Sequence, residues 1–559
     1  MKHILKFAFA AGLAVVAGSA SAKAQTVVLN GLGSSGLFLE LGLGANAPTG
    51  TINAPCVWSE NVNSVQANDT KVTPTAVDKG SSWVAWTKGS DGTCGTAGNV
   101  YAYLSTDSVV GNRCLYNAST CTIAYPTTTP ASNGLILGAA NEVSLPSTVA
   151  AKLNAAAVNY AGTDIRPEDA EFAITRATTN CGSAVGTSTQ YLGLGYVSGG
   201  TTTGTVPTGV IDSAISSSFF NVVSFSLPSA FFVTPVGATP IIVAVNDAAG
   251  TGLRASTNIT SQNLAFFLDG TSSYTGDVST PGSTSGSPVT VYIREPLSGT
   301  YNTMEYNVPN RVGTLGGSFA TSQDVGLNQP SGQKNCSATA PLHNPLNFAT
   351  ASTGARKRAI GTGEELKTVV ANTSNSIGYG FWSAANFAPF STVTSSARYY
   401  TVDGIDPLAS AGVIPTTTSE LASVSLSTTA DGQYPIWSML RLVNVGATQN
   451  TAVAALSAAA QTFSTSAHPD FVAADNMLVV RSHFLPPVSG EPTTASDGSG
   501  SSLFGSNKAS ACSATETGGD VGGVVIGLNS ATFTQSPLTL ADETYCQRTS
   551  TTGQTGHRR

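Results

Sequence analysis

Short apolar runs alternate with segments of helical periodicity along most of the chain. Apolar runs of about four to eight residues bounded by Gly, Ser or Pro are typical of buried strands, whereas apolar positions three or four apart indicate amphipathic helices. Because strands and helices alternate, the pattern predicts an α/β fold. The predicted strands are WVAWTK (83–88), NVYAYLS (99–105), EFAITRA (171–177), TPIIVAVN (239–246), VTVYIRE (289–295), SIGYGFW (376–382), ARYYTVDG (397–404) and YPIWSMLRLVNV (434–445), and the predicted helices are 146–162, 261–270 and the stretch from 361 that precedes SIGYGFW.

The first residues predict a secretory signal peptide. Lys2 and Lys6 precede an apolar run that ends in small residues at 20–24, which is the usual pattern of a cleavable bacterial signal. The run is too short for a membrane-spanning helix, so no membrane span is expected. We therefore expect residues 1–24 to be removed and the mature chain to be periplasmic, secreted or held at the cell surface.

Composition excludes one class of partner and favours disulfides. Only 10% of the residues are charged and the net charge is −7, so binding to the phosphate backbone of a nucleic acid is not expected. Eight cysteines lie beyond the signal, an even number that suits pairing in an oxidising compartment. Cys114 with Cys121 and Cys512 with Cys546 are the predicted pairs. The scattered histidines have no zinc-ligand spacing, and neither a metal nor a cofactor is expected.

The stretch VYIREPLSGTYNTMEY (291–306) contains the first candidate for ligand chemistry. Arg294 ends a predicted strand, and Ser298-Gly299-Thr300 begins a predicted helix four residues later. Unpaired amides at a helix start attract an anion, and an arginine can donate to two oxygens of an oxyanion. The alternative is that Ser298 is an ordinary helix cap and Arg294 forms a surface ion pair with Glu295 or Glu305.

Two further turns rich in hydroxyl groups follow predicted strands. GLGSSGLF (31–38) contains Ser35 and Gly36 directly before an apolar helical stretch, and LSTDSVVG (104–111) contains Ser105 and Ser108. Open α/β sheets bind ligands at the carboxyl ends of their strands. The sequence therefore predicts that these turns and Arg294 form one polar pocket.

These motifs resemble the phosphate-binding type of periplasmic solute-binding proteins of ABC transporters. The resemblance rests on REPLSGT, on GLGSSGLF and on the order of TPIIVAVN, ITSQNLAFFLDGT, SIGYGFW, ARYYTVDGI and YPIW, and it covers residues 27–445 with large insertions. It implies a two-lobed type 2 fold that closes over an oxyanion. Lobe one would comprise 25–240 and 395–490, lobe two 241–394, and 491–559 would be a Gly/Ser-rich extension. The ligand-binding residues that it implies are Ser35, Gly36, one of Ser105 and Ser108, Arg294, Ser298, Gly299 and Thr300.

One position departs from the pattern of that family. Where the family has an aspartate that accepts a hydrogen bond from protonated phosphate, EFAITRATT offers Arg176. A cation there would favour a more negative anion, whereas an acidic acceptor rejects a fully deprotonated one. The alternative is that Arg176 pairs at the rim with Glu168, Asp169 or Glu171.

The resemblance implies a protein that captures an oxyanion, most directly phosphate, for uptake through an ABC permease. No enzyme is predicted, since the few histidines follow no GxSxG motif and no serine has an evident base. The alternative is a cell-surface or matrix protein that reuses the fold with a degenerate pocket, which the low charge and the long Thr/Ser/Gly insertions favour.

Overall fold

A computed structural model describes most of the chain from residue 25 to residue 481. The described ranges are 25–61, 64–69, 78–117, 121–165, 167, 170, 173, 196–198, 220–222, 225–228, 231–270, 272–295, 297–309, 323, 354–463, 470–477, 479–481 and 524–526. Within these ranges no helix is both long and apolar enough to cross a membrane.

The described strands form one large mixed sheet and three small two-stranded sheets. The strands are β1 (Thr26–Ser34), β2 (Cys56–Glu60), β3 (Gln66–Asp69), β4 (Ser82–Lys88), β5 (Ala97–Thr106), β6 (Cys121–Ala124), β7 (Tyr160–Thr163), β8 (Tyr196–Ser198), β9 (Phe220–Val222), β10 (Phe232–Asn246), β11 (Asn258–Ile259), β12 (Thr290–Arg294), β13 (Ala355–Ala359), β14 (Ser376–Phe381), β15 (Ala397–Val402), β16 (Trp437–Asn444), β17 (Val472–Ala473), β18 (Val479–Arg481) and β19 (Val524–Ile526). The large sheet runs β13-β12-β14-β10-β16-β7-β1-β5-β4-β2.

Strand β10 joins the two halves of the large sheet. Its fifteen residues are all buried, as expected of an apolar strand covered on both faces. Phe232 to Pro240 pair with β16, whereas Ile241 to Asn246 pair with β14 and β15. The change of partner between Pro240 and Ile241 divides the sheet into a first half (β16, β7, β1, β5, β4, β2) and a second half (β13, β12, β14, β15, β11).

The register along β10 brings the ends of both halves together. Strand β14 runs antiparallel to β10 and ends with Phe381 opposite Ile241. Strand β12 is parallel to β14, so Arg294 ends at the same level. In the first half, β1, β5 and β7 are parallel to one another and opposite in direction to β16. Their carboxyl ends therefore face those of the second half.

The described helices cover both faces of the sheet. They are α1 (Phe38–Asn46), α2 (Ser108–Tyr116), α3 (Ser147–Asn154), α4 (Ser261–Asp269), α5 (Gly299–Asn307), α6 (Thr362–Glu364, which continues as a π-helical turn over Glu365–Val370), α7 (Ala384–Val393), α8 (Thr418–Leu421), α9 (Ser427–Ala430) and α10 (Ala447–Gln461). Helices α1 and α10 pack together, and the Gly44 backbone lies so close to Ala460 that a Cβ there would be 2.7 Å from its nitrogen. One large apolar cluster runs along both halves of the sheet, a second lies on the first half and a third on the second half.

The predicted α/β fold is confirmed, with two corrections to its elements. The helix expected over 146–162 ends at Asn154, and 160–163 form β7. The strand expected at 171–177 is wrong for the described residues there, since Ala173 is helical, as are Pro167 and Ala170 before it. The predicted disulfide between Cys114 and Cys121 is present, and Cys56 pairs with Cys94. Cys512, Cys546 and the extension from 491, apart from 524–526, lie outside the described residues.

Candidate oxyanion site

Arg294 is buried at the end of β12 and is held by a carboxylate next to it in the chain. Its side chain is 1% exposed. Nε donates to Glu295 Oε2 at 2.8 Å and Nη2 donates to Glu295 Oε1 at 2.7 Å, and Nη1 donates to Thr362 Oγ1. Although burial acts to lower it, the pKa of Arg294 is raised by Glu295. The predicted ion pair with Glu295 therefore forms, but in the interior and not at the surface.

Two more carboxyl groups lie beside the guanidinium. Asp107 Oδ1 is 3.7 Å from Nη2 and Glu365 Oε2 is 3.7 Å from Nε. Burial and the nearby Glu295 raise the pKa of Asp107 well above its ordinary value, and burial raises the pKa of Glu365 to about 8 against the opposing effect of Arg294. For Glu295, burial acts upward, yet the pairing with Arg294 leaves the pKa below its usual range.

Ser298 caps the helix that follows β12. Its hydroxyl accepts from the Tyr301 amide at 3.4 Å, so the cap predicted as an alternative is present. The amides of Gly299 and Thr300, in the first turn of α5, have no acceptor within the described part of the chain. Their N–H groups, together with the positive end of the helix dipole, remain available to an anion.

The first half of the sheet supplies two groups to this helix start. Ser108 begins α2 directly after β5, and Asp164 follows β7. The Ser108 hydroxyl donates to Asp164 Oδ1, and Ser108 Oγ accepts from the Asp164 amide at 3.2 Å. A Cβ on Gly299 would lie 1.5 Å from Asp164 Oδ1 and 2.5 Å from Ser108 Oγ, so only glycine permits this approach.

The contact between the halves continues along the backbone. The Val109 amide donates to the Leu297 carbonyl at 3.2 Å, joining the turn after β5 to the turn after β12. Burial raises the pKa of Asp164, while the Ser108 hydroxyl and Arg294 oppose the shift. The arrangement thus places a cation, free helix amides, a hydroxyl and an acidic acceptor at one buried point between the two halves.

A chain of hydrogen bonds fixes the backbone around Arg294. The Arg294 amide donates to the Tyr379 hydroxyl at 3.1 Å, and that hydroxyl donates to Gln323 Oε1. Gln323 Nε2 donates to Glu305 Oε2 at 3.0 Å and to the Tyr301 carbonyl at 3.1 Å. Glu305, considered from the sequence as an ion-pair partner of Arg294, thus acts as an acceptor for Gln323.

The remaining predicted site residues differ in how closely they join this cluster. Ser35 is half-buried in a short 3₁₀ turn. The Gly36 amide, expected to donate to the ligand, donates to Ser34 Oγ at 3.2 Å. This turn lies at the same boundary, since a Cβ on Gly36 would be 3.5 Å from Phe381 Cδ2. Ser105 lies in β5 with its carbonyl against Gly80, and Ser108 is the serine that reaches the cluster.

Arg176 lies outside the described residues, so its predicted role stays a prediction. The sequence interpretation did not identify Asp164, which provides the acidic acceptor that EFAITRATT does not offer. The signal that could have revealed it is YAGTD (160–164), a short run of small and apolar residues followed by an aspartate. Residues 160–162 fall within the helix predicted over 146–162, so the sequence did not indicate that Asp164 stands at the carboxyl end of a strand.

Solved structures similar to this chain include phosphate-binding proteins. No protein-family model matches the chain, and no curated protein is significantly similar to it. Among solved structures, a phosphate-binding protein from Stenotrophomonas maltophilia is 13% identical with a TM-score of 0.32, over 86% of this chain and 95% of the other. An ancestral soluble variant of the human phosphate-binding protein is 14% identical with a TM-score of 0.30, over 76% and 90%. An ABC-type phosphate transport receptor from Vibrio cholerae is 13% identical with a TM-score of 0.23, over 42% and 68%.

Proposed function

We propose that the protein is a solute-binding protein that captures an oxyanion between two lobes, and that this oxyanion is inorganic phosphate. Lobe one would contain the first half of the sheet and lobe two the second half, with β15 in lobe two because it pairs with β11 and with the end of β10. Capture would serve uptake through an ABC permease. The observation that carries the proposal is the meeting of Ser108 and Asp164 from one half of the sheet with Arg294 and the free amides of Gly299 and Thr300 from the other.

The chemistry of these groups suits a protonated oxyanion. Helix amides, a hydroxyl and a guanidinium donate to the oxygens of phosphate, while the Asp164 carboxylate needs a donor in return. Phosphate carries a proton near neutral pH and sulfate carries none. A buried acceptor opposed to sulfate lone pairs stays unsatisfied, which costs binding free energy and gives selectivity. Asp164 thus favours phosphate, where an arginine at that position would have favoured the more negative anion.

The disulfides support a location outside the cytoplasm. Cys56 pairs with Cys94 and Cys114 with Cys121, and such bonds form and persist in oxidising compartments. This agrees with the location expected from the predicted signal peptide, periplasmic, secreted or at the cell surface.

A second candidate is the surface protein with a degenerate pocket. Two observations favour it: the Asp164 carboxyl lies directly against Gly299, and Arg294 is already paired with both oxygens of Glu295. In that case these internal carboxylates would satisfy the donors permanently and the two halves would stay together without a ligand.

Calorimetric titration of the anion-free protein with phosphate and sulfate distinguishes the two candidates. The receptor binds phosphate more tightly than sulfate, and Asp164→Asn reduces that preference at least tenfold because the amide can donate to sulfate. Asp91→Asn, in an exposed turn of the first half of the sheet, is the matched control and keeps the preference. A folded protein that gives no heat with either anion contradicts capture and supports the surface protein.

A further inference from the structure

Glu365 has a place in the candidate site that its hydrogen bonds do not account for. It is fully buried at the start of the π-helical turn Glu365–Val370, and such turns are frequent at functional sites. Oε1 accepts from the Tyr379 amide at 2.9 Å. Oε2 is buried without a hydrogen-bond donor in the described structure and lies 3.7 Å from Arg294 Nε.

The charged groups around Glu365 give it one cation, which it shares with other acids. From β12 it faces Arg294 and Glu295, and from the turn after β5 Asp107 lies 3.7 Å from Nη2 of the same guanidinium. From β14 it faces Tyr379. Helix α7 and strand β10 also pack against its turn, and neither contains a charged residue. Its own helix carries Glu364 and Lys367.

Arg294 already donates hydrogen bonds to neighbouring side chains. Both Glu295 oxygens accept from it, and Thr362 accepts from Nη1. An anion arriving at the free amides of α5 therefore brings negative charge close to a cation whose charge is balanced. Of the neighbouring acids, Asp107 and Glu365 each have one buried oxygen that no donor in the described structure holds. A proton on Glu365 Oε2 would remove its charge without breaking a bond.

We propose that capture of an oxyanion by this site is coupled to the uptake of one proton by Glu365. Glu365 is then a positioning residue, because its protonation removes a negative charge beside Arg294. The inference rests on the proposed function and adds that anion binding is linked to proton uptake. The proton comes from the buffer, bonds to Oε2 and leaves with the anion on release. Low pH would favour loading and high pH would favour release.

The sign of the effect follows from linkage. With a free-state pKa of about 8, Glu365 is already protonated below about pH 7, where little uptake is expected. Above pH 8 the free protein has lost this proton, while the bound anion keeps it in place. Uptake then approaches one proton per anion, and affinity falls by up to about tenfold per pH unit.

The test is calorimetric titration with inorganic phosphate at pH 7 and pH 9, in two buffers of different ionisation enthalpy, so that the protons taken up can be counted. Phosphate's own titration contributes equally to every variant. Glu365→Gln retains an oxygen that can accept from Tyr379 and cannot ionise. Glu364→Gln removes the same charge from the preceding position and serves as the matched control.

The expected result is that wild type and Glu364→Gln lose about ten times more affinity between pH 7 and pH 9 than Glu365→Gln does, and take up more protons at pH 9. Equal slopes and equal proton counts in the three proteins overturn the proposal while leaving phosphate capture intact. A wild-type protein that takes up no proton at pH 9 overturns it even where the variant fails to fold. No binding at either pH contradicts capture itself.

Discussion

Replacing Arg294 by methionine should destabilise the protein strongly, because it leaves buried acids without their cation. Methionine retains most of the volume, so the change is mainly one of charge. Arg294 pairs with Glu295 and lies 3.7 Å from both Asp107 and Glu365. Removing one partner of a buried ion pair costs about 3–5 kcal/mol. Since a domain is stable by only about 5–15 kcal/mol, this would be a large part of the total.

The loss should depend on pH in a defined direction. In the wild type the pKa of Glu295 is lowered by Arg294. The stability that Glu295 contributes is therefore fully present above its pKa in the unfolded state and is lost as the pH falls through its pKa in the folded state. Without Arg294, burial raises the pKa of Glu295 in the folded state. The variant then loses stability as the pH rises from the unfolded-state pKa of Glu295 to its folded-state pKa. The gap between the two proteins should therefore widen from pH 5 to pH 8.

The assay is urea unfolding followed by tryptophan fluorescence at pH 5 and pH 8. Trp58, Trp382 and Trp437 are fully buried, so unfolding changes their emission. Arg398→Met is the control, since that guanidinium donates to the Ser395 and Ala397 carbonyls near the surface, and it should cost less than about 1 kcal/mol. Equal free energies of unfolding for wild type and Arg294→Met at pH 8, or a gap that narrows as pH rises, would refute the reasoning.

Two further predictions concern a close approach and the disulfides. Gly299→Ala places a Cβ 1.5 Å from Asp164 Oδ1, and the forced shift should cost about 1–3 kcal/mol, which is about fivefold to 150-fold in phosphate affinity by titration. Gly95→Ala, in an exposed turn, should leave that affinity unchanged. Replacing both cysteines of the bond between Cys56 and Cys94, 38 residues apart, should lower the free energy of unfolding in urea by about 4 kcal/mol, and replacing those of the bond across 7 residues by about 2.5 kcal/mol; the reverse order would contradict the loop-entropy argument.

The second half of the sheet could be predicted from the sequence with good accuracy because its signals are local. Thr260 and Gly270 bound α4: the Thr260 hydroxyl accepts from the Asn263 amide, and Gly270 takes a left-handed φ of 87°. The apolar run of β12 ends at Arg294, and Ser298 caps α5. Caps and breakers of this kind can be read within a few residues, so the positions of Arg294 and Ser298 at the ends of their elements could be predicted as well.

The helix predicted over 146–162 extends too far because tertiary contacts, and not the local sequence, determine the conformation of 160–163. Alanine-rich sequence favours a helix, but 160–163 pair with β1 on one side and β16 on the other. Both partner strands lie more than one hundred residues away along the chain, and burial between them outweighs helix propensity. The same error concealed Asp164, because an aspartate that follows a helix suggests no site, whereas one that follows a parallel strand does.

The burial of the site follows from the way β10 links the halves. Arg294 and Glu365 belong to the second half, whereas Ser108 and Asp164 belong to the first, and β10 changes partners between Pro240 and Ile241 at the level where they meet. A change of twist at that point would separate Asp164 from Gly299 and expose the α5 amides, while leaving the pairing within each half intact. Because donors and acceptors come from opposite halves, an anion that bridges them would stabilise the closed arrangement more than the open one. The strand that connects the halves is therefore the element through which ligand binding and lobe closure would be coupled.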